Sequence, residues 1–212
     1  KKMSQVNQNG VVVSPSTGSG DTNIQVKAET VNRGNRVVQL AAFEVEGIGV
    51  AMKKQFVASH LPAEEFIEFD NKSPAVDKGG GTVTLTGKSN SEKITFSKGN
   101  GDIIKADLAA IKFIANGATA ISGTAISGDP GAKAKYRFTL TLTAAENETI
   151  EARTQQIIAT ANGGQKVTVT LNQTAGDPFI EVAPTQIDVP QDGTAVQVQV
   201  NTNTAFTITP IA

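Results

Sequence analysis

Over most of the chain, apolar and polar residues change places position by position, the period of a β-strand with one buried face. Val83 and Leu85 sit between Thr82, Thr84 and Thr86, and Val196, Val198 and Val200 are separated by Gln197 and Gln199. Phe138, Leu140 and Leu142 alternate with Arg137, Thr139 and Thr141, the strongest strand pattern in the sequence. Ile24, Val26 and Ala28 alternate with Gln25, Lys27 and Glu29, and 36–45 carries Val38, Leu40 and Ala42 on one face. Further strands are expected over 11–13, 50–59, 94–96, 153–161 and 167–171. Turn chemistry separates them at Ser14-Pro15-Ser16-Thr17-Gly18-Ser19-Gly20, Asn32-Arg33-Gly34-Asn35, Gly47-Ile48-Gly49, Glu146-Asn147-Glu148 and Asn162-Gly163-Gly164. Short strands at close intervals predict an all-β chain built of β-sandwiches. Two stretches read less simply. Ile104, Leu108 and Ile111 suit one or two helical turns, whereas Ile111, Phe113 and Ala115 suit two short strands. Residues 118–131, rich in Gly, Ala, Ser and Thr, read as a long loop or an irregular hairpin.

The pattern is said twice. Phe66-Ile67-Glu68-Phe69 opens one copy and Phe179-Ile180-Glu181-Val182 the other, and the two align without a gap. Ala58-Ser59-His60 lies against Leu171-Asn172-Gln173, Val76 against Val189, Gly80 against Gly193, Val83 against Val196, Leu85 against Val198 and Asn90 against Asn203. Such a spacing, about a hundred residues, is a domain repeat, since solenoid units run roughly 20–50 residues. The expected fold class is all-β, with tandem immunoglobulin-like β-sandwich modules. The expected division is a polar N-terminal arm over 1–10, a small module over 11–65, a module over 66–177 with an insertion at 97–134, and the start of a third module over 178–212 that continues beyond residue 212. The first module matches the second half of the next: Ile24-Gln25-Val26-Lys27 parallels Phe138-Thr139-Leu140-Thr141, and Arg36 parallels Arg153, each heading the next strand.

Charge narrows the partners. With 19 basic and 20 acidic residues in 212, the formal net charge is -1. No electrostatic footprint for nucleic acid or an anionic membrane is present. The chain has no cysteine, which favours assembly in a reducing cytosol. It has no tryptophan and a single tyrosine, Tyr136, so a sugar-stacking platform is not expected. Lys1 to Asn9 is basic at its start but has no apolar stretch, and does not read as a signal peptide. No apolar run approaches the roughly 18 residues of a membrane span.

The sequence has no H-E-x-x-H, P-loop, G-x-S-x-G or paired-cysteine motif. Gly79-Gly80-Gly81 lies between strands and no Lys-Ser/Thr follows at phosphate-loop spacing, so it reads as a hairpin turn. His60 has no cysteine or second histidine with which to share a metal. Glu64-Glu65 and Glu146-Asn147-Glu148 read as solvated linker and turn charge rather than paired catalytic carboxylates. Asp70, Asp77 and Asp102 lack the spacing of a calcium loop. Glu64, Glu65, Glu68 and Asp70 gather near a module junction, where calcium is the alternative to simple solvation. Arg36 and Arg153 are expected to pack their stems structurally. No catalytic, cofactor-binding or metal-binding residue is assigned, no cofactor is expected, and the chain is not expected to be an enzyme.

Certain strand-and-turn phrases resemble a known family. Pro184-Thr185-Gln186-Ile187-Asp188-Val189 followed by Gly193-Thr194-Ala195-Val196-Gln197-Val198 resembles the opening of a BACON-type immunoglobulin-like module. Gly163-Gly164-Gln165-Lys166-Val167-Thr168-Val169-Thr170-Leu171-Asn172-Gln173-Thr174-Ala175-Gly176 resembles its close. Val13-Ser14-Pro15-Ser16-Thr17-Gly18-Ser19-Gly20 with Arg36 is similar to short immunoglobulin-like repeats of bacteriophages that infect gut Bacteroidales, including the auxiliary head-decoration proteins of crAss-like phages. The tryptophan usual after the asparagine of the BACON opening is missing, with Phe206 near that position. The resemblance implies a structural virion protein assembled in the bacterial cytoplasm. It would sit outside the capsid, bound through its N-terminal region to the major capsid protein and neighbouring virion proteins, with no nucleic acid or membrane partner. The alternative is a glycan- or mucin-binding module of a secreted bacterial surface protein, with host-surface glycans as partners.

Overall fold

The computed structural model describes residues 3–211, and the fold is all-β. Its best-sealed part is the central module. There β6 (Ile67–Phe69), β8 (Gly81–Ser89), β12 (Tyr136–Ala144), β10 (Lys112–Ala115) and β11 (Ala118–Ile121) form a five-stranded sheet in the order β11-β10-β12-β8-β6. A four-stranded sheet faces it, β7 (Ala75–Val76), β14 (Lys166–Gln173), β13 (Arg153–Ala161) and β9 (Ile94–Lys98), in the order β7-β14-β13-β9. The opening segment changes sheets: β6 pairs antiparallel with β8, whereas β7 pairs parallel with β14. This two-sheet order is that of an immunoglobulin-like sandwich.

Alternation explains the interior. Along β12 the burial follows the sequence, with Phe138, Leu140 and Leu142 inward and Arg137, Thr141 and Thr143 exposed. Nine cross-strand pairs, from Tyr136↔Ser89 to Ala144↔Gly81, lay it against β8, bringing Leu140 opposite Leu85. Phe96 and Phe138, ring centroids 6.0 Å apart, join the two sheets, with Phe69 packed on Phe138 at 5.6 Å and Phe113 on Phe96 at 5.0 Å. The contiguous hydrophobic core lies wholly between Ile67 and Leu171.

The insertion forms no helix. Ile103, Ile104 and Leu108 are buried as an irregular plug, Ile104 bridges to Ala144, and the Ile104 N–H is taken by the side-chain oxygen of buried Gln155. A regular helix would turn some of these neighbours to solvent; the plug buries both Ile103 and Ile104. Downstream, Phe113 and Ala115 point inward from β10, as the strand alternative required. The stretch at 118–131, expected as a long loop or an irregular hairpin, begins as a hairpin strand, because Asn116 (φ 51°) and Gly117 (φ 78°) close a two-residue turn that folds β11 back onto β10.

The N-terminal module has β1 (Val6–Gln8), β2 (Val11–Ser14) and β3 (Gln25–Ala28) in one sheet and the hairpin β4 (Val38–Glu46) with β5 (Lys53–His60) in the other. Residues 6–8, expected within a polar arm, instead pair with β2 through the tight Asn9-Gly10 turn, both residues at positive φ. The expected internal alignment also needs correction. β3 pairs with the opening strand β2 as β8 does with β6, so 24–27 corresponds to β8 rather than to β12. Val38, not Arg36, stands opposite His60 as Arg153 stands opposite Gln173.

In the C-terminal segment β15 (Ile180–Ala183) pairs with β16 (Gln199–Thr202), Ile180 opposite Thr202 as Ile67 is opposite Ser89. The strand expected at 196–200 starts only at Gln199, and Val196 and Val198 remain exposed. Among the described residues no strand lies against β16 as β12 lies against β8, and an isolated hairpin holds little regular structure beyond its pairing.

A polar clasp starts both repeat copies. The Asn90 side-chain oxygen accepts from Phe66 N–H at 2.9 Å, its amide donates to Glu64 C=O at 3.0 Å, and the Ser89 hydroxyl donates to Phe66 C=O at 2.8 Å. One period on, Asn203 accepts from Phe179 N–H at 3.1 Å and donates to Asp177 C=O at 2.9 Å, while the Thr202 hydroxyl donates to Phe179 C=O at 2.7 Å.

Candidate interaction surface

The two sheets of the N-terminal module do not close on each other. Val11 and Val13 are buried, but Ile24 is 42% exposed and Val26 45% exposed. Phe43 and Phe56 stack across the β4–β5 hairpin at 5.2 Å and are only half-buried. Between the sheets runs an apolar cleft of about 280 Å³, bordered by Val13, Ile24, Phe43, Val45 and Phe56. Another opening, of about 600 Å³, lies among Val11, Val26, Leu40, Phe56 and Ala58 and reaches His60. Val38, Val45, Val57 and, at the hairpin tip, Ile48, Val50 and Met52 are also exposed. So many uncovered apolar side chains on a small module mark an interaction surface.

The module is fixed to the central one through a loop-on-loop contact. Gly34 lies so close to the Ala132 carbonyl that any Cβ there would collide with backbone. Asn35 N–H donates to Gly131 C=O at 2.8 Å, and Ala63 N–H donates to Gly34 C=O at 2.8 Å. Arg36 reaches across to Asp129 and Glu92. The insertion of the central module thus receives the turn at 32–35, and Arg36 makes an inter-module ion pair. Arg153 does something different: its guanidinium donates to Gln173 Oε1 at 2.8 Å and to the carbonyls of Ala145 and Glu146.

The carboxylates near the first junction separate into individual partners. Asp70 accepts from Thr86 at 2.7 Å and from Arg137 at 2.5 Å; the Thr86 hydrogen bond chiefly, with Arg137 and Lys88, holds its carboxyl below the usual range. Glu68 faces Lys88, and Glu65 accepts from Gly163 N–H. Glu64 enters the clasp through its carbonyl. Asp102 pairs with Lys105, which lowers the Asp102 pKa. Gly80 and Gly81, at positive φ, make a turn whose backbone closes on Asp77. Among the described residues no three His, Cys, Asp or Glu side chains come together as a metal-binding group. His60 ends β5 at the mouth of the N-terminal groove, as Gln173 ends β14.

At the second junction a polar cleft of about 860 Å³ lies between the turns at 77–79 and 146–149 and the clasp at 201–203. Lys78 Nζ donates to Asp177 at 2.5 and 2.6 Å, which raises the lysine pKa. Asn203 also donates to Glu148 C=O at 2.8 Å, tying the C-terminal segment to the central module. Asn147, read as a solvated turn residue, is buried: its amide donates to the Glu151 and Thr174 carbonyls and its oxygen accepts from Thr149. Tyr136 is buried too, its hydroxyl donating to Ser91 C=O at 2.6 Å, and burial pushes its pKa up to about 12. Asn90 against Asn203 was visible as a repeated polar position, the one sequence signal of the clasp; nothing in the sequence set Asn147 apart from other turn residues.

A scan against protein-family models finds no match, and a search of curated proteins finds none. Among solved structures, a Bacteroides ovatus GH5 xyloglucanase in complex with a XXXG heptasaccharide is similar over 52% of this chain and 19% of its own, at 13% identity and a TM-score of 0.33. A protein from Bacteroides thetaiotaomicron, solved by NMR, is similar over 52% of this chain and 87% of its own, at 12% identity and a TM-score of 0.25. The chain thus corresponds to less than a fifth of the xyloglucanase. Among the described residues no helix is long and apolar enough to cross a membrane.

Proposed function

We propose that the chain is a structural, non-catalytic protein of a bacteriophage particle, a decoration protein held to the outside of the capsid through its N-terminal region. The observation that carries this reading is the half-open N-terminal module beside a sealed central sandwich. Uncovered apolar side chains concentrate on the N-terminal module and on the segment after Phe179 rather than on the central module, so docking surface lies at the ends of the chain and the central sandwich is a rigid body suited to projecting; of the two ends, the N-terminal one gathers its apolar side chains around a groove. The clefts of the N-terminal module are open and bordered largely by apolar side chains, which suits surface complementarity better than chemistry on a bound substrate. The partner is the major capsid protein or a neighbouring virion protein. A specific interface of this kind buries roughly 1,200–2,000 Å². Repetition over a symmetric shell lets modest individual contacts hold if the attached units are linked.

Sedimentation with DNA-free heads of a crAss-like phage tests this. The intact chain should pellet with heads in a saturable ratio and show no binding to a glycan panel. Glycan binding without head binding would transfer the function to the secreted glycan-binding alternative.

A further inference from the structure

Glycine follows asparagine four times, at Asn9-Gly10, Asn100-Gly101, Asn116-Gly117 and Asn162-Gly163. This dipeptide carries its own chemistry. With no side chain on the second residue, its backbone nitrogen can approach the asparagine side-chain carbonyl and close a five-membered ring. Closure needs a mobile asparagine amide, an unengaged backbone nitrogen and a backbone free to leave its turn conformation. The four sites differ in these respects.

At Asn9-Gly10 every group is held. Asn9 Nδ2 donates to Leu40 C=O at 3.2 Å, Gly10 N–H donates to Asn7 Oδ1 at 3.2 Å, and Gly10 C=O accepts from Glu29 N–H at 2.8 Å. At Asn162-Gly163, Asn162 Nδ2 donates to Glu92 at 3.3 Å, Gly163 N–H donates to Glu65, and Asn162 N–H donates to Ser91 Oγ at 2.8 Å. Asn100-Gly101 is laid against β13. There Asn100 C=O accepts from Gln156 N–H at 2.8 Å, Gly99 N–H donates to Gln156 C=O at 2.8 Å, and a Cβ on Gly101 would collide with the Thr154 carbonyl. At Asn116-Gly117 the Asn116 N–H donates to Arg137 C=O at 3.1 Å, but among the described residues no hydrogen bond engages the Asn116 side chain or the Gly117 N–H. Both residues are exposed, and nothing lies within 4 Å of where a Gly117 Cβ would stand. Behind the turn, β11 is the outer strand of its sheet and holds to β10 by four residue pairs. A short outer strand opens locally at low cost.

We infer that Asn116-Gly117 is a modification site, the turn at which the folded chain deamidates spontaneously. The Gly117 nitrogen bonds to Asn116 Cγ and gives its proton to solvent, while the Cγ–Nδ2 bond breaks and Nδ2 leaves as ammonia. Water then opens the succinimide at either carbonyl. One amide thus becomes one carboxylate, in aspartate or isoaspartate linkage, with water consumed, ammonia released and no change of oxidation state. Isoaspartate adds a backbone atom to a two-residue turn, which then no longer sets Ala115 opposite Ala118. The strand behind it carries buried Ala120 and leads to Ser122, whose hydroxyl oxygen accepts from Phe96 N–H at 2.9 Å. The modification therefore loosens the sheet edge and reaches the packed Phe96–Phe113 pair. It needs no partner and is independent of the capsid reading.

The test holds the full chain at mildly alkaline pH and maps its peptides by mass spectrometry, with electron-transfer fragmentation to separate aspartate from isoaspartate. In the folded chain, conversion at Asn116 should outrun that at Asn9, Asn100 and Asn162 by at least about tenfold, because two or more hydrogen bonds must break first at each of those. In urea the four rates should draw to within about threefold of one another, since only local sequence then remains. Amide exchange at Phe96 should quicken in the isoaspartate form and stay at the parent rate in Asn116→Asp, which has the same charge and an ordinary backbone. Equal rates at the four sites in the folded chain overturn the inference, as does a faster site among the other three or conversion of Asn116 only after unfolding. Unchanged Phe96 exchange in the isoaspartate form overturns the link from the turn to the core.

Discussion

The N-terminal and central modules place comparable residues at comparable positions and reach opposite outcomes. Ile24 and Leu85 are both branched aliphatics two residues before one that pairs with a neighbouring strand, Val26 with Val13 and Gly87 with Phe69, yet one is exposed and the other sealed. Phe43 and Phe56 carry more apolar surface than Ile157 and Val169 and remain the less buried pair. Residue type therefore does not decide burial here; the number of strands does. β12 and β9 supply the inner faces that close the central sandwich, and a hairpin with a three-stranded sheet cannot enclose the same positions.

The contrast breaks most sharply at Leu140. It is fully buried between two sheets, so Leu140→Ala should destabilise the central module by about 2–5 kcal/mol, read from its urea midpoint. An unchanged midpoint would mean β12 does not close the sandwich. Asn90→Ala comes next. It removes the acceptor for Phe66 N–H and the donor to Glu64 C=O in a buried setting, with an expected loss of about 1–3 kcal/mol. Asn203→Ala removes the equivalent bonds at a half-buried site and should lose less, so equal losses would show that the two clasps are equally shielded. Phe56→Ala should remove no more than about 1–2 kcal/mol, since a half-open ring forfeits only part of its transfer free energy. Exchange of the β4 and β5 amides is the measurement. A loss as large as that at Leu140 would show that the N-terminal groove is closed in solution.

How far these features were legible in the sequence follows from what alternation encodes. It marks which face of a strand is apolar, and for β8, β12, β13 and β14 it marked the core, because partners on both sides were present to cover that face. It says nothing about whether a covering strand exists, so Val196 and Val198 were expected inside and lie exposed. The hairpin at 112–121 was written in Asn116-Gly117, outweighed in reading by the small residues after it. The pairing of 6–8 with β2 rests on the Asn9-Gly10 turn, which the polar composition of the arm concealed. Arg36 and Arg153 looked equivalent as strand heads, but β4 begins at Val38, so Arg36 lies two residues before the strand, in the segment that meets the central module, whereas Arg153 is the first residue of β13. Asn90 acts through Glu64 and Phe66, and Asn147 in part through Thr174, backbone groups distant in sequence that leave no local pattern.

The smallest effect belongs to the second junction and sharpens the comparison between its clasp and the first. Lys78 is held to Asp177, and the hydrogen bond with its attendant charge attraction raises the lysine pKa above the ordinary 10.5. A base whose pKa is higher in the folded chain contributes fully below its unfolded value, and that contribution disappears as pH rises through the folded one. Junction stability from this pair is therefore constant through neutral pH and falls only above about 10.5. The pair is solvent-exposed and screened by salt, so the change is small and local. Raising the pH through that range should speed proteolysis between 174 and 179 relative to 61–66, where the inter-module contacts are backbone hydrogen bonds and the Arg36 ion pairs, and arginine keeps its charge. Lys78→Met should abolish the difference while leaving cleavage at 61–66 unchanged. Equal acceleration at both sites would assign the effect to general alkaline loosening rather than to Lys78.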